Sequence, residues 1–130
     1  MTVGHAAGCP LCWPSSPESA WAVVPTLERG VRLIDESHVD VVLLRCPSCG
    51  QDFVSLWTER IDWAGGEDPQ SWTLLPLTAE EATGLAGGGP PVEAALERLG
   101  PARRALRRER PSDGAPRLFW GRGILVGRHD

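Results

Sequence analysis

Four cysteines carry the most legible chemistry in this chain. Cys9 and Cys12 stand in the stretch GCPLCW, Cys46 and Cys49 in RCPSCG, and there is no fifth cysteine. Two residues between thiolates allow a tight turn that aims both sulfurs at one point. Proline fixes part of that turn, and Gly50 can take a positive φ after the second pair. Two such pairs are the usual supply for a tetrahedral zinc site, because Zn²⁺ suits soft thiolates. Four cysteine donors leave no open coordination position, which points to a structural rather than a catalytic metal. The same residues could also hold iron for electron transfer, form a thioredoxin-like dithiol, or form disulfides. A dithiol site would need a βαβ context, which neither pair has.

The knuckles CPLC and CPSCG resemble those of zinc-ribbon and rubredoxin-like small metal domains, over roughly residues 9–60. The resemblance implies that Cys9, Cys12, Cys46 and Cys49 ligate one structural Zn²⁺ and that a β-hairpin carries the second knuckle. The chain departs from the pattern twice. The gap between the pairs is 33 residues, against about 15–20 in the common spacing. The first pair is followed by Trp13 rather than Gly. Inserted elements must fill the gap.

Other residue types with chemical potential are less specific. His5, His38 and His129 are scattered; His5 reads first as an exposed terminal residue, with replacement of a ligand as the alternative, and His38 falls at the start of a strand pattern. Glu59, Asp62, Glu67 and Asp68 bracket a loop but lack a nucleophile or third partner for acid/base work. The stretch GLAGGGPP has no following Lys-Ser/Thr and cradles no phosphate. Six tryptophans are many for 130 residues. Trp57, Trp63 and Trp72 gather around residues 58–71 and offer either core filling or an aromatic face for a partner. Arg103, Arg104, Arg107, Arg108 and Arg110 form a basic run. On a helix, 103 and 107 share a face, as do 104 and 108, giving a stripe able to meet phosphates.

The elements that must position these groups follow from periodicity and punctuation. Ser16-Pro17-Glu18 reads as a helix start that Pro25 would stop, although Trp21 to Val24 could equally be a strand. VRLI and HVDVVLLR are β-rich runs separated by the turn DES. Val39, Val41 and Leu43 share one face and Val42 and Leu44 the other, the mark of a central strand. QDFVSLWTERID is the next strand, so a strand–knuckle–strand hairpin forms around Cys46 and Cys49. SWTLLPL is a further strand, with Pro76 at its end or an edge. Thr78 and Glu81 make a capping box for a helix from about Ala79 to Ala86. Gly87 to Gly89 followed by Pro90-Pro91 is a linker. VEAALERLGPARRALRRER is helical in pattern, with Gly100-Pro101 breaking it into two short helices or one kinked helix. RLFWGRGILVG closes the chain as one or two short strands.

Composition bounds the class. An apolar content of 42% and a mean hydropathy of -0.17 fit a soluble globular chain. No apolar run approaches a membrane span, and no basic-then-apolar leader is visible, so the expected address is the cytoplasm, with no membrane partner. All 13 basic residues are Arg. Residues 1–97 carry 4 Arg against 14 acids, and residues 98–130 carry 9 Arg against 3. Such an asymmetry suits self-complementation within the fold or a basic arm for an acidic partner. The net charge of -4 and pI near 5.3 oppose nucleic-acid binding.

The expected architecture is therefore α+β: a small antiparallel sheet organised around the four-cysteine zinc-ribbon-like site, followed by short C-terminal helices and a terminal β segment. Residues 1–86 would form the β-rich metal unit, and 87–130 an Arg-rich segment packed on it. The expected role is a non-enzymatic protein-interaction module of adaptor, regulator or toxin-neutralising type. The alternative is a nucleic-acid-binding zinc ribbon using the Arg-rich segment.

Overall fold

The structure, a computed structural model, describes residues 9–59, 69–87, 92–99, 103–111 and 114–124. Six strands lie in one sheet in chain order, each antiparallel to its neighbours. They are β1 (Glu28–Glu36), β2 (Val39–Arg45), β3 (Asp52–Glu59), β4 (Gln70–Leu77), β5 (Arg104–Arg110) and β6 (Arg117–Arg122). The β2–β3 hairpin falls where the sequence pattern puts it, whereas the β1–β2 turn falls at Ser37 and His38, because Asp35 and Glu36 of the expected DES turn pair with Asp40 and Val39 inside the hairpin. His38 sits in the turn between β1 and β2 rather than inside a strand.

Strand alternation sorts the apolar side chains into two layers. Val39, Val41 and Leu43 of β2 join Val54, Leu56, Leu75, Leu77 and Ala105 on one face. Val42 and Leu44 join Phe53, Leu74 and Leu106 on the other. Helices α2 (Ala79–Ala86) and α3 (Val92–Glu97) follow β4. They cover the first face with Leu85 and Leu96. An N-terminal strap, residues 9–27, covers the second with Cys12, Ala20 and Leu27.

Local signals explain the strap and α2. Helix α1 (Pro17–Val23) begins where the Ser16 side chain accepts from the Ser19 N–H at 3.1 Å, with Pro17 in its first turn. Pro25 then tightens the chain into a 3₁₀ turn over Val24–Thr26, so Trp21 to Val24 is helical and not a strand. At α2 the expected capping box is complete: Thr78 accepts from the Glu81 N–H, and Glu81 accepts from the Thr78 N–H. Pro76 lies in β4 past the last β4–β5 pair, Leu74 with Leu106. Its carbonyl accepts from the Arg103 guanidinium at 2.8 Å.

One expectation is overturned. The run around Arg104–Arg110 is strand β5, not helix, so the helical stripe pairing 103 with 107 and 104 with 108 does not exist. Arg and Leu favour helices locally, but propensity yields to tertiary pairing. Here β4 and β6 flank the segment, and Ala105 and Leu106 are fully buried on opposite faces. The alternation places Arg104 and Arg108 on the strap side and Arg107 on the helix side. Because β5 and β6 continue the sheet, with only short helices, the described chain is mostly β rather than an even α+β.

Candidate functional site

The hairpin turn between β2 and β3 is the second knuckle. Cys46 donates its N–H to the Gln51 carbonyl at 2.9 Å, and the Gly50 N–H bonds the Cys46 carbonyl at 2.9 Å. Gly50 has φ +79°, which glycine accepts without a Cβ penalty. The first knuckle opens the strap. There the Trp13 N–H bonds the Cys9 carbonyl at 2.9 Å, and the Cys9 N–H points at the Cys12 sulfur at 3.3 Å.

The turns bring the four sulfurs within 4.8 Å of one another. Cys9 and Cys12 Sγ are 3.6 Å apart, Cys9 and Cys46 3.9 Å, Cys12 and Cys49 3.8 Å. A tetrahedral ion with metal–sulfur bonds of about 2.3 Å has sulfur–sulfur edges of about 3.8 Å, so this donor set fits Zn²⁺. A disulfide would need about 2.05 Å, and all four cysteines are free. The environment is uneven. The Cys12 backbone N–H lowers the Cys9 thiol from 9.0 to about 7, while burial pushes the Cys12 thiol well up. Four thiolates this close repel unless a cation neutralises them, and metal binding displaces their protons.

Three side chains fasten the strap beyond the knuckle. The Trp13 ring packs on Phe53 at 5.5 Å and edge-on to Trp120 at 4.9 Å. The Arg104 guanidinium lies over Trp120 at 3.9 Å and near Trp13 at 5.2 Å. The Trp120 indole donates to the Ser15 carbonyl at 2.9 Å, and Arg104 to that of Pro14 at 3.4 Å. The sequence signal was faint. Trp13 in place of Gly after the first knuckle was its visible trace, and its partners on β5 and β6 lie about a hundred residues away.

The remaining candidates separate. Trp57 and Trp72 are cross-strand partners on the strap side of the sheet. Trp72 donates its indole N–H to Ser55 Oγ at 2.7 Å and meets Trp21 edge-on at 4.8 Å. Arg108 lies 5.2 Å from the Trp21 ring. Trp63, with Asp62, Glu67, Asp68, His5 and His129, lies outside the described residues. Arg103 bonds Glu81 and the Pro76 carbonyl. Arg107 donates to the carbonyls of Arg122 and Gly123. Glu59 faces His38 at 3.5 Å and accepts from Gln70. No helix among the described residues is long and apolar enough to cross a membrane.

No protein-family model, curated protein or solved structure matches this chain, so its function has to be read from these groups themselves.

Proposed function

We propose that this chain is a non-enzymatic protein-interaction module whose fold is held by one structural Zn²⁺ on Cys9, Cys12, Cys46 and Cys49. The observation that carries the reading is the sulfur geometry, with separations of 3.6–3.9 Å matching the edges of a ZnS₄ tetrahedron. Four thiolates fill the coordination sphere, so a water or substrate would have no place on the ion. Zinc at this position joins the start of the strap to the β2–β3 hairpin and closes the second layer of the core.

The interaction half of the reading is supported by the half-buried indoles of Trp57 and Trp72 and by Trp21, 37% exposed beside them. Tryptophan and arginine together are the residue types that dominate protein interfaces. Nucleic acid is the weaker reading, because Arg103 and Arg107 are engaged within the fold and the net charge is -4.

Three measurements test it. Elemental analysis of the purified chain should give one zinc per chain; a red, iron-loaded protein would overturn the metal assignment. Capture from the native host with zinc-verified protein should recover a protein that nuclease treatment does not release. Turnover of a substrate at the metal would refute the non-enzymatic reading.

A further inference from the structure

Between the strap and the sheet, beside the metal-side core, runs a groove of about 350 Å³. It is lined by Trp21 and Pro25 on the strap, by Trp57 and Trp72 on β3 and β4, and by Arg29 and Asp40, with Trp21 and Trp72 touching edge-on along one side. We propose that this groove takes an acidic, proline-containing, extended segment of a partner protein. The inference rests on the protein-interaction reading above and names the partner's chemistry.

Three observations carry it. The first is the wall. Indole rings flanking a groove fit the flat rings of proline in a polyproline II segment, which pays little ordering entropy on docking. The second is the donors. The Trp72 indole N–H is used by Ser55, whereas Trp21 and Trp57 bond no acceptor among the described residues. A polyproline II segment has no internal hydrogen bonds and presents its carbonyls outward, so it supplies acceptors for those two N–H groups. The third is charge. Asp40 is matched by Arg32 at 3.0 Å. Arg29 and Arg108 face no carboxylate among the described residues, and Arg108 sits against Trp21. Among the described residues, Arg29 in the lining and Arg108 behind Trp21 therefore carry positive charge with no ion-pair partner, which complements acidic residues in the partner.

The same features disfavour a stacked nucleobase. Trp21 and Trp72 cross at 77° and offer no pair of parallel faces.

The test uses the zinc-verified full chain and a displayed library of random twelve-residue peptides. Selection is run against the wild type and, in parallel, against Arg29→Glu and Trp57→Phe. Arg29 is exposed and Trp57→Phe keeps most of the ring, so both variants keep the fold, which a thermal melt verifies. The expected result is enrichment of peptides rich in proline and Asp or Glu on the wild type. A labelled synthetic copy of the enriched sequence should then bind about tenfold more weakly to Arg29→Glu and several-fold more weakly to Trp57→Phe. Enrichment of basic or proline-free peptides would overturn the proposal, as would equal binding to both variants. Competition by a twelve-residue oligothymidylate with steep salt dependence would assign the groove to nucleic acid and overturn it as well. If acidic peptides are enriched but bind both variants like the wild type, the groove assignment fails while the protein-interaction reading stands. If no peptide is enriched and host capture also recovers no protein, both fail.

Discussion

Removing the metal should unfold the second core layer, and the size of the effect can be worked from the residues beneath the strap. Phe53, Leu74 and Leu106 are at most 1% exposed and pack in the layer closed by Cys12, Ala20 and Leu27. Uncovering such side chains costs about 1.5–3 kcal/mol each, so about 5–9 kcal/mol for the three if fully exposed. A domain of this size has a total stability of about 5–15 kcal/mol. Loss of the strap is therefore comparable to the whole, and the sheet should not survive it unchanged. With about 4 °C of melting temperature per kcal/mol, Cys46→Ser or chelation should lower the midpoint by about 20 °C or more. Cys46 is the stronger choice for substitution because it is only 3% exposed at the end of β2. The assay is a thermal melt by circular dichroism, run beside a colorimetric count of released metal. Verified metal loss with a midpoint shift under about 5 °C would refute the reasoning, because the strap would then be held by its aromatic contacts alone.

Other outcomes follow from single residues. Gly50→Ala meets no atom within 4 Å, so its cost is the left-handed backbone alone, about 1–2 kcal/mol, readable as a lower melting point and weaker metal retention. Gly121→Ala places a Cβ 2.6 Å from Arg107 Nε. It should displace that guanidinium from the Arg122 and Gly123 carbonyls, and Arg107→Ala should remove most of the added penalty in a double-mutant cycle. Arg103→Ala should cost about 1–3 kcal/mol in denaturant unfolding, because it strands the Pro76 carbonyl and the Glu81 carboxylate. Burial raises the Glu81 carboxyl, but the Arg103 and Thr78 hydrogen bonds outweigh it and hold its pKa below the ordinary value. That stabilisation is complete above the unfolded carboxyl pKa of about 4.3 and is lost as pH falls through the lower folded value. The stability gap between wild type and Glu81→Gln should therefore shrink as the solution is acidified through that window; a gap that stays constant would contradict the linkage.

What was legible in the sequence was local. The capping box of Thr78 and Glu81, the Ser16-Pro17 helix start, the alternating faces of β2 and the two cysteine turns are each written within a few neighbouring residues. Each appears in the fold where its own chemistry requires. The Arg run misled because its determinants are distant. Its strand state depends on pairing Leu74 with Leu106 and Leu106 with Trp120, which no local pattern encodes. The same distance hid the Arg104–Trp120 contact. No aromatic is interleaved in the run, yet tryptophans from the strap and from β6 reach Arg104 and Arg108 once the sheet forms.

The long gap between the cysteine pairs, an anomaly for a ribbon, acquires a physical role in this fold. Its 33 residues contain α1, the 3₁₀ turn, β1 and β2, so a metal on both cysteine pairs would close a loop that includes an entire wall of the core. A link across so long a segment removes more freedom from the unfolded chain than one across a short knuckle. It also bears on the groove. Trp21 and Pro25 lie on the tethered strap, whereas Trp57 and Trp72 lie on the sheet. A metal link on the cysteines would thus help set the placement of Trp21 and Pro25 against the sheet, together with the Trp21–Trp72 contact. A protein stripped of zinc should lose peptide binding before, or together with, its second core layer, and never after it.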